Sequence, residues 1–511
     1  METVKPLLLI ILDGWGTTAD SKFNAITQAK TPQWDDWLNQ YPHCLLDACG
    51  EAVGLPKNQI GNSEVGHMHI GAGRTIWQDF SQINQDISNN TFLEHPVLQN
   101  LCQDTLERDV TLHVMGLLSS GGIHSHEQHL YEFLKLAASH GAPKIVIHLF
   151  LDGRDSPPHA AKQSIRQLEK ILKAYPFAKI GSLCGRFYAM DRDHRWERVQ
   201  EAYDLLTIGN KPKFPSADAA MDNYPDIKSD EFMPACVIGS EASIIEDRDN
   251  IFFYNFRSDR AIQLAECFVN QDFEGFKRTS QPSVNHFVTM TQYSQHLNTT
   301  SVYPPRTIPN TLGEIVEQHH YPQLRIAETE KFPHVTYFLN GGKEEPFASE
   351  SRVLIPSAKV KTYDLMPQMR AQEITKAIIE GLQSQQYPLI IANFANADMV
   401  GHCGELTAAI EAIEALDHCF QEIDAGLKKY DGQAIITADH GNAEVMFDEI
   451  TQQQHTAHTL SKVPFLFIGK NCQLSKNHGS LIDIAPTVLE LMHIMKPLEM
   501  TGESLITKKK E

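Results

Sequence analysis

Residues 7–16 read LLLIILDGWG: six apolar side chains in succession, then at once a carboxylate and a Gly-Trp-Gly turn. Six residues are short for a buried helix and ordinary for a strand, and an unbroken apolar run belongs to a strand covered on both faces. The same pattern recurs at 111–117, 144–151, 179–183, 251–255, 287–291, 389–394, 434–437 and 463–468, with helical stretches between. This alternation predicts an α/β fold with largely parallel sheets. Between 406 and 427 the apolar residues Leu406, Ile410, Ile413, Leu416, Phe420, Ile423 and Leu427 step by three or four, which predicts an amphipathic structural helix.

The chain has 511 residues, 42% hydrophobic and 21% charged, so a sizeable core is available and the length admits two large domains or three ordinary ones. Lysine and arginine number 44 against 64 aspartates and glutamates, a net charge of −20 that disfavours nucleic acid and anionic membrane surfaces as partners. The nine cysteines are odd in number, scattered and never spaced Cys-x-x-Cys, as expected of reduced thiols rather than a disulfide framework or a thiolate zinc site. The apolar run at 7–12 is too short to span a membrane and lacks a cleavage site, so a soluble cytoplasmic protein is expected. A Gly-rich turn near Gly71–Thr75 and the proline-rich segment 303–310 read as linkers. They delimit an inserted domain at 78–305, with 1–77 and 306–511 forming one discontinuous domain. Lys508, Lys509 and Lys510 read as a solvated tail.

Ligands of open α/β sheets bind at the carboxyl ends of strands. That rule singles out Asp13, Asp398 and His402 in NFANADMVGH (393–402), and Asp439 and His440 in AIITADHGN (434–442). His458, in HTAHTLSKVPFLFIG (455–469), precedes its strand. Asp398 and His402 share a face if their segment is helical, whereas the adjacent Asp439 and His440 can serve one metal from two sides or two metals. Each residue alone reads more readily as a helix cap or a satisfied histidine, but capping does not demand histidine, so together they favour a metal site. Carboxylate and imidazole without thiolate suit Mn²⁺, Zn²⁺ or Fe²⁺, with carboxylate favouring Mn²⁺. The segment QIGNSEVGHMHIGAGR (59–74) adds Ser63 near a helix start. A serine there is ordinarily a cap; beside a metal its hydroxyl is acidified and can attack phosphorus.

A second constellation lies in the insertion, in GLLSSGGIHSHEQH (116–129), HLFLDGRDSPP (148–158), LCGRFYAMDRDHRW (183–196) and FFYNFRSDRA (252–261). These strand-then-loop segments carry His124, Arg154, Asp155, Arg186, Arg192, Arg257 and Arg260. Guanidinium forks grip carboxylate and phosphate bidentately, so five arginines delivered to one sheet end suggest a small substrate with several negative charges. Ordinary ion pairs with Asp155, Asp191, Asp193 and Asp259 are the competing reading. Lys331, in ETEKFPHVT (328–336), is a further candidate cation.

With these motifs in view, the chain resembles the cofactor-independent (2,3-bisphosphoglycerate-independent) phosphoglycerate mutases of the alkaline phosphatase superfamily, from LLLIILDGWG to LIDIAPTVLEL (481–491). The resemblance implies a phosphatase-like discontinuous domain with an inserted phosphotransferase domain. It implies one Mn²⁺ on Asp13, Ser63, Asp439 and His440, and another on Asp398, His402 and His458. It places substrate contacts on His124, Arg154, Asp155, Arg186, Arg192, Arg257, Arg260 and Lys331. The implied reaction interconverts 3-phosphoglycerate and 2-phosphoglycerate, in glycolysis and gluconeogenesis, through a phosphoserine on Ser63. His124 and Asp155 are the expected proton carriers, and a cytoplasmic monomer the expected form. The sequence departs from the family's usual pattern at Ser120, Ala397, Cys403 and Leu460-Ser461-Lys462, none of which removes an expected ligand; a thiolate at Cys403 would favour Zn²⁺.

Overall fold

The computed structural model describes residues 5–19, 22–305 and 307–508. Arg306 of the proline-rich segment and Lys509 and Lys510 of the basic tail lie outside the described residues. The chain divides into two compact units, Met1–Trp77 with Thr307–Glu511, and Gln78–Arg306, each built on an eight-stranded sheet.

In the first unit the strands run in the order Glu350–Ile355, Gln323–Glu328, Leu389–Phe394, Leu7–Leu12, Gln433–Thr437, Val463–Ile468, His43–Asp47 and His478–Ser480. Leu7–Leu12 is central and parallel to both neighbours, with Leu12 opposite Phe394 and Ile11 opposite Thr437. That register brings the residues after three strands out at one edge. All six side chains of the run are buried, which explains why it carries no polar alternation. Only Val463–Ile468 runs against its neighbours. The helix Leu406–Lys429 buries Ile413, Leu416, Phe420, Ile423 and Leu427, and the Phe420 ring packs 5.3 Å from that of Trp37. Gly71, expected in a turn, lies inside the helix Ser63–Ala72, which ends at Gly73.

In the second unit the order is Thr300–Tyr303, His286–Thr291, Asn250–Phe253, Leu112–Leu118, Ile145–Leu151, Ala178–Gly185, Cys236–Ile238 and Lys213–Phe214, all parallel except the pair Ala178–Gly185 and Cys236–Ile238. Helices cover both faces: Phe133 packs on Phe252 from one side, and Phe268 of the helix Ile262–Val269 packs on Phe287 from the other. Four adjacent parallel strands, Asn250–Phe253 through Ala178–Gly185, therefore open their carboxyl-end loops side by side.

Candidate functional site

In the first unit Leu7–Leu12 delivers Asp13, Gln433–Thr437 delivers Asp439 and His440, and Leu389–Phe394 delivers Asp398 through the short helix Asn396–Gly401. The exit after Asp13 needs glycine: Gly14 has φ +77°, and a Cβ there would stand 2.6 Å from the Asp398 backbone. Ser63 opens its helix but does not cap it. Asn62 accepts the Val65 N–H at 2.9 Å, which leaves the serine hydroxyl for other partners. Its Oγ lies 3.2 Å from Asp13 Oδ1, 2.9 Å from His440 Nε2 and 2.8 Å from Lys331 Nζ. The Lys331 ammonium also reaches Asp13 Oδ1 at 2.7 Å and Asp398 Oδ2 at 2.6 Å. Lys331 thus sits buried among the carboxylates of this unit.

Asp13, Asp398 and Asp439 are all buried around this one ammonium. Burial alone would raise the carboxyls of Asp13 and Asp398, but Lys331 and then the neighbouring histidines hold both well below the ordinary range. Burial would likewise lower His440, yet Asp439, Asp13 and Asp398 raise it to about 9. The cluster is short of positive charge, the condition a divalent cation relieves. Asp398, His402 and His458 offer donor atoms within 4.8 Å of one another, as do Asp13, Asp398 and His440, and Asp13, His67 and Asp439. His402 and His458 each turn Nε2 to within 3.2 Å of Asp398 Oδ1, while Nδ1 meets a backbone carbonyl, of Thr456 at 2.7 Å and of Gly61 at 2.9 Å. A carbonyl on Nδ1 fixes the proton there and leaves Nε2 as the ligand atom. Cys403 takes no part: its thiol points to the Met399 carbonyl, and burial raises its pKa. These donors fit divalent metal ions.

In the second unit the loops are knitted by a residue that sequence reading does not single out. Buried Asp152 accepts from Ser119 Oγ at 2.6 Å, from the N–H groups of Arg154 and Asp155 at 3.1 Å each, and from Arg186 Nη1 at 2.8 Å. Arg186 also donates to Asp155 Oδ2 at 2.5 Å. Asp259 sits between Arg192 Nη1 at 3.2 Å, Arg257 Nε at 3.5 Å and His124 Nδ1 at 3.4 Å. Its place in Arg-Ser-Asp-Arg was visible, but only as an ion-pair partner. Burial holds Arg260 below its ordinary pKa, and nearby Arg192, Arg186 and Arg154 add to the depression. Burial and Arg186 likewise bring His124 down to about 4. Arg154, Arg192 and Arg257 keep more than half their side-chain surface exposed, so this cluster presents cationic forks to solvent. His67 and Asn393 in the first unit are also missed by the strand-end rule; the available signal was that His67 follows Ser63 by one helical turn.

Among the described residues no helix is long and apolar enough to cross a membrane. Residues 5–496 match the model of the metalloenzyme superfamily. The chain is 52% identical over 505 residues to the 2,3-bisphosphoglycerate-independent phosphoglycerate mutase of Legionella pneumophila strain Philadelphia 1, covering 98% of each. It is 47% identical over 511 residues to the enzyme of that name from Pseudomonas aeruginosa strain UCBPP-PA14, covering 99% of each. Among solved structures it is similar to Leishmania mexicana phosphoglycerate mutase, a structure at low cobalt concentration, with TM-score 0.61 and 30% identity over 99% of this chain and 98% of that one. With its carboxylate and imidazole clusters and its two-sheet α/β architecture, the chain belongs to the 2,3-bisphosphoglycerate-independent phosphoglycerate mutases of the alkaline phosphatase superfamily.

Proposed function

We propose that this enzyme interconverts 3-phosphoglycerate and 2-phosphoglycerate through a phosphoserine on Ser63, without 2,3-bisphosphoglycerate. The observation that carries the reading is the uncapped Ser63 hydroxyl, held within 3.2 Å of Asp13, His440 and Lys331 in a buried cluster. Asp13, Ser63, Asp439 and His440 would hold one Mn²⁺, and Asp398, His402 and His458 the other. When bound, such ions acidify the serine hydroxyl and neutralise phosphoryl charge. The bond from phosphorus to the substrate oxygen breaks as the bond to Ser63 Oγ forms, and the return transfer goes to the other hydroxyl of retained glycerate. Lys331, between Ser63 and two carboxylates, is placed to meet a phosphoryl oxygen.

Arg154, Arg186, Arg192, Arg257 and Arg260 would grip the carboxylate and phosphate of the substrate. His124 and Asp155 would move protons on and off the glycerate hydroxyls, supported by their 3.9 Å approach beside Arg186. The same reading makes the residues 78–306 the substrate-holding unit and the rest the phosphoryl-handling unit, in a cytoplasmic monomer. The deciding experiment is a mutase assay on 3-phosphoglycerate without 2,3-bisphosphoglycerate. Chelation is expected to abolish turnover, and Mn²⁺ to restore it better than Mg²⁺, because imidazole ligands disfavour a cation that prefers oxygen. Full activity in chelator, or equal rescue by Mg²⁺, contradicts the proposed site.

A further inference from the structure

His67 lies on the buried side of the helix Ser63–Ala72, fully enclosed, with the His334 ring 5.3 Å away. Its Nε2 is 3.0 Å from Asn393 Nδ2, and that same amide nitrogen is 2.9 Å from Asp13 Oδ2. An ionised carboxylate has only acceptors, so the amide must turn its NH₂ toward Asp13. The second hydrogen of that NH₂ then meets His67 Nε2, which can only accept. The proton of the imidazole is therefore on Nδ1, which donates to the Ser63 carbonyl at 2.9 Å; Asp439 Oδ2 lies 3.1 Å from that nitrogen but accepts no hydrogen bond. The other oxygen of Asp439 is held at 3.0 Å by its neighbour's N–H and at 3.3 Å by Gly14 N–H.

These contacts form a chain of hydrogen bonds, Asp13–Asn393–His67–Ser63 carbonyl, that ties the end of one strand through a second strand to the helix carrying Ser63, and they leave Asp439 Oδ2 unpartnered beside the His67 ring. Grouped by distance alone, His67 is a candidate metal ligand with Asp13 and Asp439. The hydrogen bonds argue otherwise, because both ring nitrogens are already engaged, one as donor and one as acceptor. We infer that His67 and Asn393 are positioning residues rather than ligands: they fix the orientation in which Asp13 faces one divalent cation, and His67 anchors the carbonyl of Ser63, leaving the unpartnered Asp439 Oδ2 to that cation. This inference rests on the metal-dependent reading proposed above. Hydrogen-bond partners of this kind commonly change metal affinity by about 10–100-fold when removed.

The test is Mn²⁺ titration of the full-length enzyme, followed by the paramagnetic resonance of free Mn²⁺, in wild type, His67→Leu, Asn393→Leu and the double variant. Wild type is expected to bind two ions. Each single variant should weaken one of them by about 10–100-fold and leave the other unchanged. The double variant should be little worse than the weaker single one, because both act through one chain of contacts. A separate measurement on wild type needs no folded variant: coupling of bound Mn²⁺ to ¹⁵N-histidine should reveal three directly bound imidazoles, those of His402, His440 and His458. A fourth overturns the inference by making His67 a ligand. Two ions bound with equal affinity in every variant overturns it while leaving the metal reading intact. No Mn²⁺ bound by wild type removes the metal reading itself, and this inference with it.

Discussion

The two units solve opposite electrostatic problems. The first gathers three buried carboxylates around one ammonium, and two of the histidines that touch them hold protons more tightly: His440 rises to about 9, and His402 is raised by its contact with Asp398. The second gathers Arg154, Arg186, Arg192, Arg257 and Arg260 around Asp152, Asp155 and Asp259, and its histidines are pushed the other way, with His124 at about 4. Burial penalises a charged imidazole in both places and is the largest cause of the low His124; at His440 the neighbouring carboxylates outweigh it. The first cluster suits divalent cations and, on the proposed reading, the second an anion, a division that a mutase requires and that a simple phosphatase, with no need to retain the dephosphorylated product, does not.

The strongest way to break this comparison is to remove the nucleophile proposed for the first unit. Ser63→Ala leaves both charge clusters in place and deletes the hydroxyl that meets Asp13, His440 and Lys331. Loss of a catalytic nucleophile can reduce turnover by as much as about 10⁶-fold, and a loss of that order is expected here. Acid-quenched wild-type enzyme incubated with labelled phosphoglycerate should yield a phosphopeptide containing Ser63, absent from the variant. Near-normal turnover in Ser63→Ala rules out the covalent route.

The anion cluster can be weakened without changing its charge. Arg257→Lys or Arg260→Lys keeps a cation but loses the bidentate fork, and isomerisation should fall about 10–100-fold, equivalent to roughly 1.4–2.7 kcal/mol. Phosphate released per isomerisation event should rise at the same time, because loosely held glycerate escapes and water takes the phosphoryl group. Arg166→Lys is the control: this arginine pairs with Asp218 on an exposed helix and should change neither quantity. Equal phosphate release in all three variants would reduce the cluster to surface cations.

How much of this was legible depended on polarity inside the strands. Leu7–Leu12, Leu389–Phe394 and Val463–Ile468 are read from sequence to the residue, since each is buried throughout and apolar but for Asn393. Gln323–Glu328 is equally buried but carries Gln323, Arg325 and Glu328, so no apolar run announces it. Arg325 pairs there with Gln323 and Asn340, partners that only the fold supplies. Glu350–Ile355 is an edge strand with half-exposed side chains, and His43–Asp47 alternates, so neither shows a continuous run. The site behaves similarly. Residues directly after apolar strands stand out, whereas Asn393 lies within one and His67 lies on a helix. Their relevance comes from contacts across hundreds of residues, which spacing along the chain does not encode.

The smallest expected effect sharpens the contrast in histidine behaviour. His124, His129 and His148 are buried in the second unit, and burial is the main cause holding all three low, His124 at about 4 and His129 at about 3. In the unfolded chain each titrates near 6.5. With the folded value below the unfolded one, the unfolded chain binds more protons between the two, so the stability of this unit is fully present above about 6.5 and declines as pH falls toward the folded values. At about pH 5.5 the folded rings are still neutral. The loss per histidine is then set by the unfolded chain alone, at about 1.4 kcal/mol, however far below 5.5 the folded value lies. His129 Nε2 is 3.1 Å from Asn84 Oδ1, a contact that a glutamine amide can replace without a titrating proton. His129→Gln should therefore lose about 1.4 kcal/mol less than wild type between pH 7.5 and 5.5. Urea midpoints read by pulsed hydrogen exchange over peptides from 78–306 of the full chain measure that difference. Other titrating groups contribute equally to both proteins and cancel. Identical pH dependence in the two would mean that the His129 ring takes up its proton as readily folded as unfolded, and that burial in the arginine-bearing unit does not drive its histidines toward the neutral form.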